Sequence, residues 1–236
     1  MFKSEKNCYK SFKMKAVNFL LPMKGHSERV PNKNLKTFIE KPLYHYILTE
    51  ILESKFLNKV YINTDSELIM EDVNRNFPHV QIIIRPKELI GDHVSMNKII
   101  EFDLSQIEGE IFLQTHSTNP LLTVGSIDRA LSYFLNENKE YDSIFSATKW
   151  QTRFYWADCK PVNHNPQELL RTQDLPPLYE ENSNFYIFTK QSFLTAGKKR
   201  IGIKPYMFEM PQMEAVDIDT EFDFKLAEHI YKTKNR

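Results

Sequence analysis

Two short clusters in this 236-residue sequence carry residue types that can handle phosphate. The first, residues 22–34, reads Pro-Met-Lys-Gly-His-Ser-Glu-Arg-Val-Pro-Asn-Lys-Asn. Lys24, Arg29 and Lys33, with Lys36 just beyond, bring four basic side chains into one loop. Cations and free backbone N–H groups are what a polyanion requires, and Gly25 lets a phosphate approach the backbone. The loop is neither GxxxxGK[ST] nor GxGxxG, and the same composition also suits a solvated turn. The second cluster, residues 216–224, reads Val-Asp-Ile-Asp-Thr-Glu-Phe-Asp-Phe. In extended backbone Asp217 and Asp219 point to the same side. Two converging carboxylates repel unless a cation joins them, and Mg²⁺ with phosphate oxygens would suit. The other reading is an acidic helix start, with Asp219 or Thr220 as cap and Glu221 and Asp223 favouring the dipole. Both readings can hold at once.

The elements that must position these clusters alternate along the chain. The nearly continuous apolar run at 16–21 reads as a strand buried on both faces, and 60–63, 81–84, 110–114 and 143–147 read as further strands. Helical spacing of apolar residues marks 43–54, a helix through Ile69 and Val73, and 96–107, 124–135 and 220–232. Residues 64–66 form a turn with helix-capping chemistry. Strands resume at 185–188 and 206–210. Residues 151–177, with four prolines and many aromatics, read as an excursion from the main sheet. Alternation of this kind implies right-handed βαβ units and a mostly parallel sheet. Ligands of such sheets sit beyond the carboxyl ends of the strands, where the basic loop lies.

Composition narrows the field. Lys+Arg and Asp+Glu both number 31, so the formal net charge is zero. A nucleic-acid binder would show a basic excess. No segment reaches the roughly 18 to 20 apolar residues of a membrane span. Cys8 and Cys159 build neither a disulfide framework nor a zinc site, which fits a reducing, cytoplasmic setting. Residues 1–13 are polar and are expected to be a disordered or non-native extension before one domain spanning 14–236.

From Lys15 to about Tyr231 the chain resembles the CMP-sugar synthetases, the N-acylneuraminate cytidylyltransferases and relatives acting on Kdo and other acidic sugars. Residues 24–34 look like that family's nucleotide-binding loop. Asn63-Thr64-Asp65 looks like its Ser-Thr-Asp, and Arg85-Pro86-x-Glu88-Leu89 like its Arg-Pro-x-Glu-Leu. Residues 114–121 are similar to its Gln-Pro-Thr-Ser-Pro-Leu with two residues added, and Asp217-Ile218-Asp219-Thr220 to its metal motif. The resemblance implies a Rossmann-like three-layer α/β fold and a homodimer, with residues 149–178 as a dimerisation and sugar-site excursion. It implies attack by a sugar's anomeric hydroxyl on the α-phosphorus of CTP, releasing pyrophosphate, with Mg²⁺ on Asp217 and Asp219.

Lys33, Lys24 and Asp219 are then the expected catalytic residues. Pro22, Met23, Lys24, Gly25, Ser27, Lys33, Asn34, Asp65 and Arg85 would bind nucleotide. Gln114, His116, Asn119, Arg171, Gln173, Glu180 and Asn182 would face the sugar. Lys24 stands where the family carries arginine, so charge survives without the bidentate fork. Glu28 stands where a lysine is common. Leu122 and the stretch 179–184 lack arginines that sialic acid enzymes carry, which points to another nonulosonic or ulosonic acid. Other readings are a nucleotidyltransferase of this architecture using another triphosphate or a sugar phosphate, and a noncatalytic relative. His116 also reads as a plain surface histidine. Trp150, Phe154, Tyr155 and Trp156 read as an interface core.

Overall fold

Every residue of the first strand, β1 (Val17–Leu20), is buried, as expected of a strand covered on both faces. The structure, a computed structural model, describes residues 16–27, 29–136 and 140–234. The proposed extension over 1–13 and the position of Glu28 lie outside the described residues.

After β1 come a short hairpin, β2 (Thr37–Phe38) and β3 (Lys41–Pro42), then α1 (Leu43–Leu52), β4 (Leu57–Thr64), α2 (Glu67–Asn76) and β5 (Gln81–Ile84). α3 (Met96–Gln106), β6 (Ile111–Thr115), α4 (Val124–Asn136) and β7 (Ser143–Trp150) follow. The chain closes with β8 (Leu178–Thr189), α5 (Lys190–Thr195), β9 (Pro205–Glu209) and α6 (Glu221–Lys234). The central sheet has seven strands in the order β5-β4-β1-β6-β8-β7-β9. β8 runs antiparallel to both neighbours, and the remaining pairings are parallel.

Alternate strand residues feed two cores, which is the three-layer architecture in physical terms. Val17, Phe19, Ile111, Leu113, Phe185 and Ile187 join the core beneath α1, α2 and α4. Leu20, Phe112, Tyr186 and Phe188 join the core against α3 and α5. Each fully buried Leu, Ile or Phe contributes about 1.5–3 kcal/mol, so these layers hold the strand ends rigidly in register. A third core seats α6 on the β2–β3 hairpin and α1, through Phe38, Leu43, Tyr46 and Phe224. That contact is what brings the acidic cluster at the start of α6 to the mouth of the sheet.

Some elements differ from the reading of the sequence. The hairpin β2–β3 and helix α5 were not anticipated, being too short for a period to register. β8 begins at Leu178 rather than near residue 185, and β7 continues to Trp150. The two form a long antiparallel ribbon whose register shifts between Phe145 and Ala147. Ser183, opposite this bulge, adopts φ 56°. The excursion is therefore the tip of a ribbon, residues 151–177, rather than a break from the sheet. No helix among the described residues is long and apolar enough to cross a membrane.

Candidate active site

A cleft of about 350 Å³ opens beyond the carboxyl ends of β1, β4, β5 and β6. Its walls include Pro22, Met23, Lys24, Ser27, Arg29, Lys33 and Asn34 of the basic loop, Arg85 after β5, His116, Ser117 and Thr118 after β6, and Asp219. Side chains brace the loop in addition to its backbone hydrogen bonds. Asn34 Nδ2 donates to the Lys24 carbonyl at 2.9 Å, and Ser117 Oγ donates to Asn34 Oδ1 at 2.6 Å. Asn34 is buried and so acts as a brace as well as a wall.

Gly25 has a packing role. Its N–H donates to Asp65 Oδ1 at 2.7 Å, and a Cβ there would lie 2.9 Å from Ser66 Cβ. Gly25 and Asp65 therefore clamp the loop to the start of α2, where Ser66 Oγ accepts from the Ile69 N–H. They face away from the cleft, which neither of them lines.

Arg85 is aimed by a buried relay. Its Nε donates to Asn63 Oδ1 at 2.7 Å, and one terminal nitrogen donates to the carbonyls of Asn63 (3.0 Å) and Met23 (3.2 Å). Asn63 Nδ2 in turn donates to Asp103 Oδ1 at 2.5 Å. Burial pushes the Asp103 carboxyl up to about 7, against the pull of the Asn63 hydrogen bond and the Arg85 charge. Asp103, on the inner face of α3, was not among the expected site residues.

At the cleft's other side, Lys33 Nζ donates to the Ile218 carbonyl at 2.5 Å and lies 3.5 Å from Asp219 Oδ1. Arg29 reaches the same Asp219 oxygen at 2.8 Å. Burial lowers the Lys33 pKa, and Asp219 and Asp217 partly offset it. Asp217 is raised, first by burial and also by the neighbouring Asp219 charge. Its Oδ1 is buried without a hydrogen-bond partner. The helix start is Thr220, whose N–H and hydroxyl both donate to Asp223 Oδ2 at 2.8 Å while its Oγ1 accepts from the Asp223 N–H at 3.3 Å. Thr220 and Asp223 serve the helix, leaving Asp217 and Asp219 for other work.

No group of three or more His, Cys, Asp or Glu side chains is placed to hold a metal among the described residues. A pair is nonetheless what Mg²⁺ uses when substrate phosphates and water complete its shell. The unpartnered, buried oxygen of Asp217 fits that ion, since an ionised carboxylate oxygen left alone inside a protein is costly.

Beyond β6, His116 lines the cleft, and the fully buried Gln114 at the end of the strand stands behind it. Arg200 donates to Gln114 Oε1 at 2.5 Å, which fixes the amide's orientation. Gln114 Nε2 then donates to the Thr115 carbonyl at 2.8 Å and faces His116 Nε2 at 3.0 Å. An amide nitrogen only donates, so His116 accepts at Nε2 and carries its proton on Nδ1. Burial, with Arg200 and Lys33 nearby, pushes the His116 pKa down to about 3. The ring is thus neutral, a donor at one nitrogen and an acceptor at the other.

The remaining sugar-side expectations fall elsewhere within the chain. Asn182 fills the bulge of the β7–β8 ribbon. It accepts from Ser146 Oγ at 2.6 Å and from the Asn184 N–H at 3.2 Å, and donates to Thr148 Oγ1 at 2.9 Å. In this chain it is a buried brace of the ribbon. Asn119 is wholly buried behind the loop after β6, off the cleft, its amide without a hydrogen-bond partner. Glu180 is exposed on the ribbon and accepts from Trp150 Nε1 at 2.9 Å. Arg171 pairs with Asp174 at 2.7 Å, and Gln173 is exposed beside it. None of these lines the cleft of its own chain. Lys24 stands at the rim, paired with Asp92 at 2.5 Å.

Residues 18–235 match the family described as cytidylyltransferase. A pseudaminic acid cytidylyltransferase of Campylobacter jejuni subsp. jejuni serotype O:2 is 27% identical over 235 residues, covering 92% of this chain and 96% of that protein. An N-acylneuraminate cytidylyltransferase A of Danio rerio is 28% identical over 231 residues, 92% of this chain and 51% of the other. Among solved structures, a CMP:2-keto-3-deoxy-manno-octonic acid synthetase complexed with CTP shares the fold with a TM-score of 0.67 at 13% identity, covering 93% of this chain and 99% of that one. A 4-diphosphocytidyl-2C-methyl-D-erythritol synthase of Anaerococcus prevotii DSM 20548 gives 0.63 at 10% identity, covering 92% and 99%.

Proposed function

The chain belongs to the cytidylyltransferase family, and we propose that it transfers CMP from CTP to the anomeric hydroxyl of an acidic sugar of the nonulosonic or ulosonic type, releasing pyrophosphate. The observation that carries this reading is the meeting of Lys33 with the Asp217–Asp219 pair at the carboxyl ends of the parallel strands. The acceptor class follows the pseudaminic and N-acylneuraminic acid relatives.

The residues divide the work. Lys33 and Arg29 place positive charge where the triphosphate must lie, and Lys33 stabilises charge that builds on the α-phosphate and the leaving pyrophosphate. Being partly desolvated, Lys33 loses little by exchanging its protein partners for phosphate oxygens. Arg85, already held by Asn63, faces the nucleotide as a rigid donor. His116 offers its Nδ1–H without adding charge. Asp217 and Asp219 would hold Mg²⁺. When bound, the ion screens the phosphates and favours departure of pyrophosphate.

The functional unit is a homodimer. Trp156 and Leu169 at the ribbon tip are 64% and 93% exposed, and Trp150, Tyr155, Leu170 and Tyr179 add to the same apolar tip. Such a patch on a soluble enzyme is suited to cover by a second copy. Pairing would also carry Arg171 and Gln173 toward the neighbour's cleft. CTP as substrate agrees with the cytoplasmic setting expected from the cysteines.

The test is thermal unfolding with Mg²⁺ and each of CTP, UTP, ATP and GTP, followed by pyrophosphate release with pseudaminic and N-acetylneuraminic acids. A selective upward shift with CTP is expected, because a ligand of the folded state stabilises it by mass action. A shift with another triphosphate instead of CTP would overturn the nucleotide assignment.

A further inference from the structure

We propose that Arg200 is the specificity-determining residue that receives the carboxylate of the sugar acid, its guanidinium held against Gln114 and close to the cleft-lining His116. This rests on the acidic-sugar reading above and says which side chain enforces it.

The chemistry of the acceptor sets where such a residue must stand. In a 2-keto sugar acid the carboxylate and the anomeric hydroxyl share one carbon. The hydroxyl must reach the α-phosphate, which lies against Lys33. The carboxylate must therefore meet its partner within about one side chain of that wall. His116 is the residue between the two: it lines the cleft, and it feels the charges of both Lys33 and Arg200.

Arg200 is built for the task in three ways. First, it is half-buried, and the one carboxylate whose charge reaches it, Glu181, is not in contact with it. It forms no ion pair among the described residues, and its one side-chain hydrogen bond goes to the neutral Gln114 Oε1 at 2.5 Å. Its guanidinium lies 3.8 Å above the Tyr186 ring, a contact that holds the plane without using its donors. The nearest carboxylate, Glu181, takes the Tyr186 hydroxyl instead. A desolvated cation left without a counter-ion costs stability unless a ligand supplies one.

Second, the backbone around it is pinned. The Arg200 N–H donates to Asn97 Oδ1 of α3 at 3.3 Å. Just beyond, the N–H groups of Ile203 and Lys204 converge on Asp142 at 2.8 and 3.0 Å, and the Gly202 N–H donates to Ser143 Oγ at 2.8 Å. A Cβ at Gly202 would fall 2.1 Å from Asp142 Oδ1, so a larger residue would push the Asp142 carboxylate off its backbone donors. Third, the fork retains free N–H donors, and a carboxylate is the group such a fork binds two oxygens at a time. The stretch 179–184 carries no arginine. Arg200 supplies from another loop the charge that stretch lacks.

The experiment compares pseudaminic acid and N-acetylneuraminic acid with their methyl esters, in the wild type and in Arg200→Met and Arg200→Lys. Kinetics are read beside CTP-induced stabilisation. For wild type, the acid is expected to be strongly preferred over its ester. Arg200→Met should raise KM for the acid roughly 30-fold or more and erase the preference, with KM for CTP unchanged. Arg200→Lys keeps the charge without the fork and should fall between. Acid and ester slowed equally by Arg200→Met, with the preference intact, would show a merely structural residue and overturn the proposal. If Arg200→Met does not fold, Arg200→Lys with wild-type KM for the acid and an unchanged preference overturns it equally. A wild type that is stabilised by CTP but turns over neither acid overturns the acidic-sugar reading, and this assignment with it.

Discussion

Lys33 Nζ stands 3.5 Å from Asp219 Oδ1 and donates to the carbonyl of the residue before it, across 185 residues of sequence. The basic loop and the acidic loop thus meet on one side of the cleft. Each supplies a charge that the other half-neutralises, so neither loop needs a ligand to stay in place.

Replacing Lys33 by Met should lower kcat by about 10² to 10³-fold, the range for loss of one preorganised donor at a developing charge. The unfolding midpoint should change little, because burial already weighs against this ammonium. Turnover within tenfold of wild type at saturating CTP would remove Lys33 from the chemistry.

Asp217→Asn should separate stability from function. The buried carboxylate has an unpartnered oxygen and a raised pKa, so a neutral amide should be tolerated or should raise the midpoint, while turnover is lost. Chelation should abolish wild-type activity and added Mg²⁺ should restore it; excess Mg²⁺ should not rescue the variant. Full activity after exhaustive chelation would show that the pair serves another purpose.

Asp103 makes a prediction in pH. Its folded pKa, about 7, exceeds the usual carboxylate value of 3.8. The folded state therefore binds its proton more tightly than the unfolded chain does. The stability this contributes is complete below pH 3.8 and is lost as pH rises to about 7. Asp103→Asn should flatten that component in denaturant titrations across the same window, since an amide can still accept from Asn63. An identical slope in both proteins would mean the carboxylate is ionised throughout.

Asn182→Ala should cost about 1–3 kcal/mol, because the N–H of Asn184 and the hydroxyls of Ser146 and Thr148 lose their partner. KM for the sugar acid, measured well below the unfolding midpoint, should stay put. A raised KM in a fully folded variant would restore Asn182 as a ligand.

Exchanging Trp156 for Ser and Leu169 for Asp together should convert a sedimenting dimer into monomers. CTP-induced stabilisation should persist, since neither residue lines the cleft. A wild type that sediments as a monomer at assay concentration would dispose of the dimer.

Local patterns were legible and long-range ones were not. Strands β1 and β6 could be read because both faces are buried and nearly every residue is apolar. The first half of β8 was hidden, because Glu180, Glu181, Asn182, Ser183 and Asn184 carry the composition of a loop. Their strand is held by pairing with β7 and by the Asn182 brace, neither of which has a local signature. The basic loop was legible as a wall of the cleft, but the packing of Gly25 was not, since Ser66 approaches from another element. Arg200 gave no signal at all. It reads as a basic residue in a surface turn until Gln114, 86 positions earlier, is placed against it.

The seat of α6 on the early hairpin has a consequence for synthesis. Asp217, Asp219 and the helix that follows them are made well after Lys24, Lys33 and Arg85. A chain interrupted before residue 217 can lay down β1 and β4 to β9 yet leaves its cations without their carboxylates. Joining the two charge clusters therefore depends on a contact between segments far apart in the sequence, Phe38 of the hairpin and Phe224 of α6.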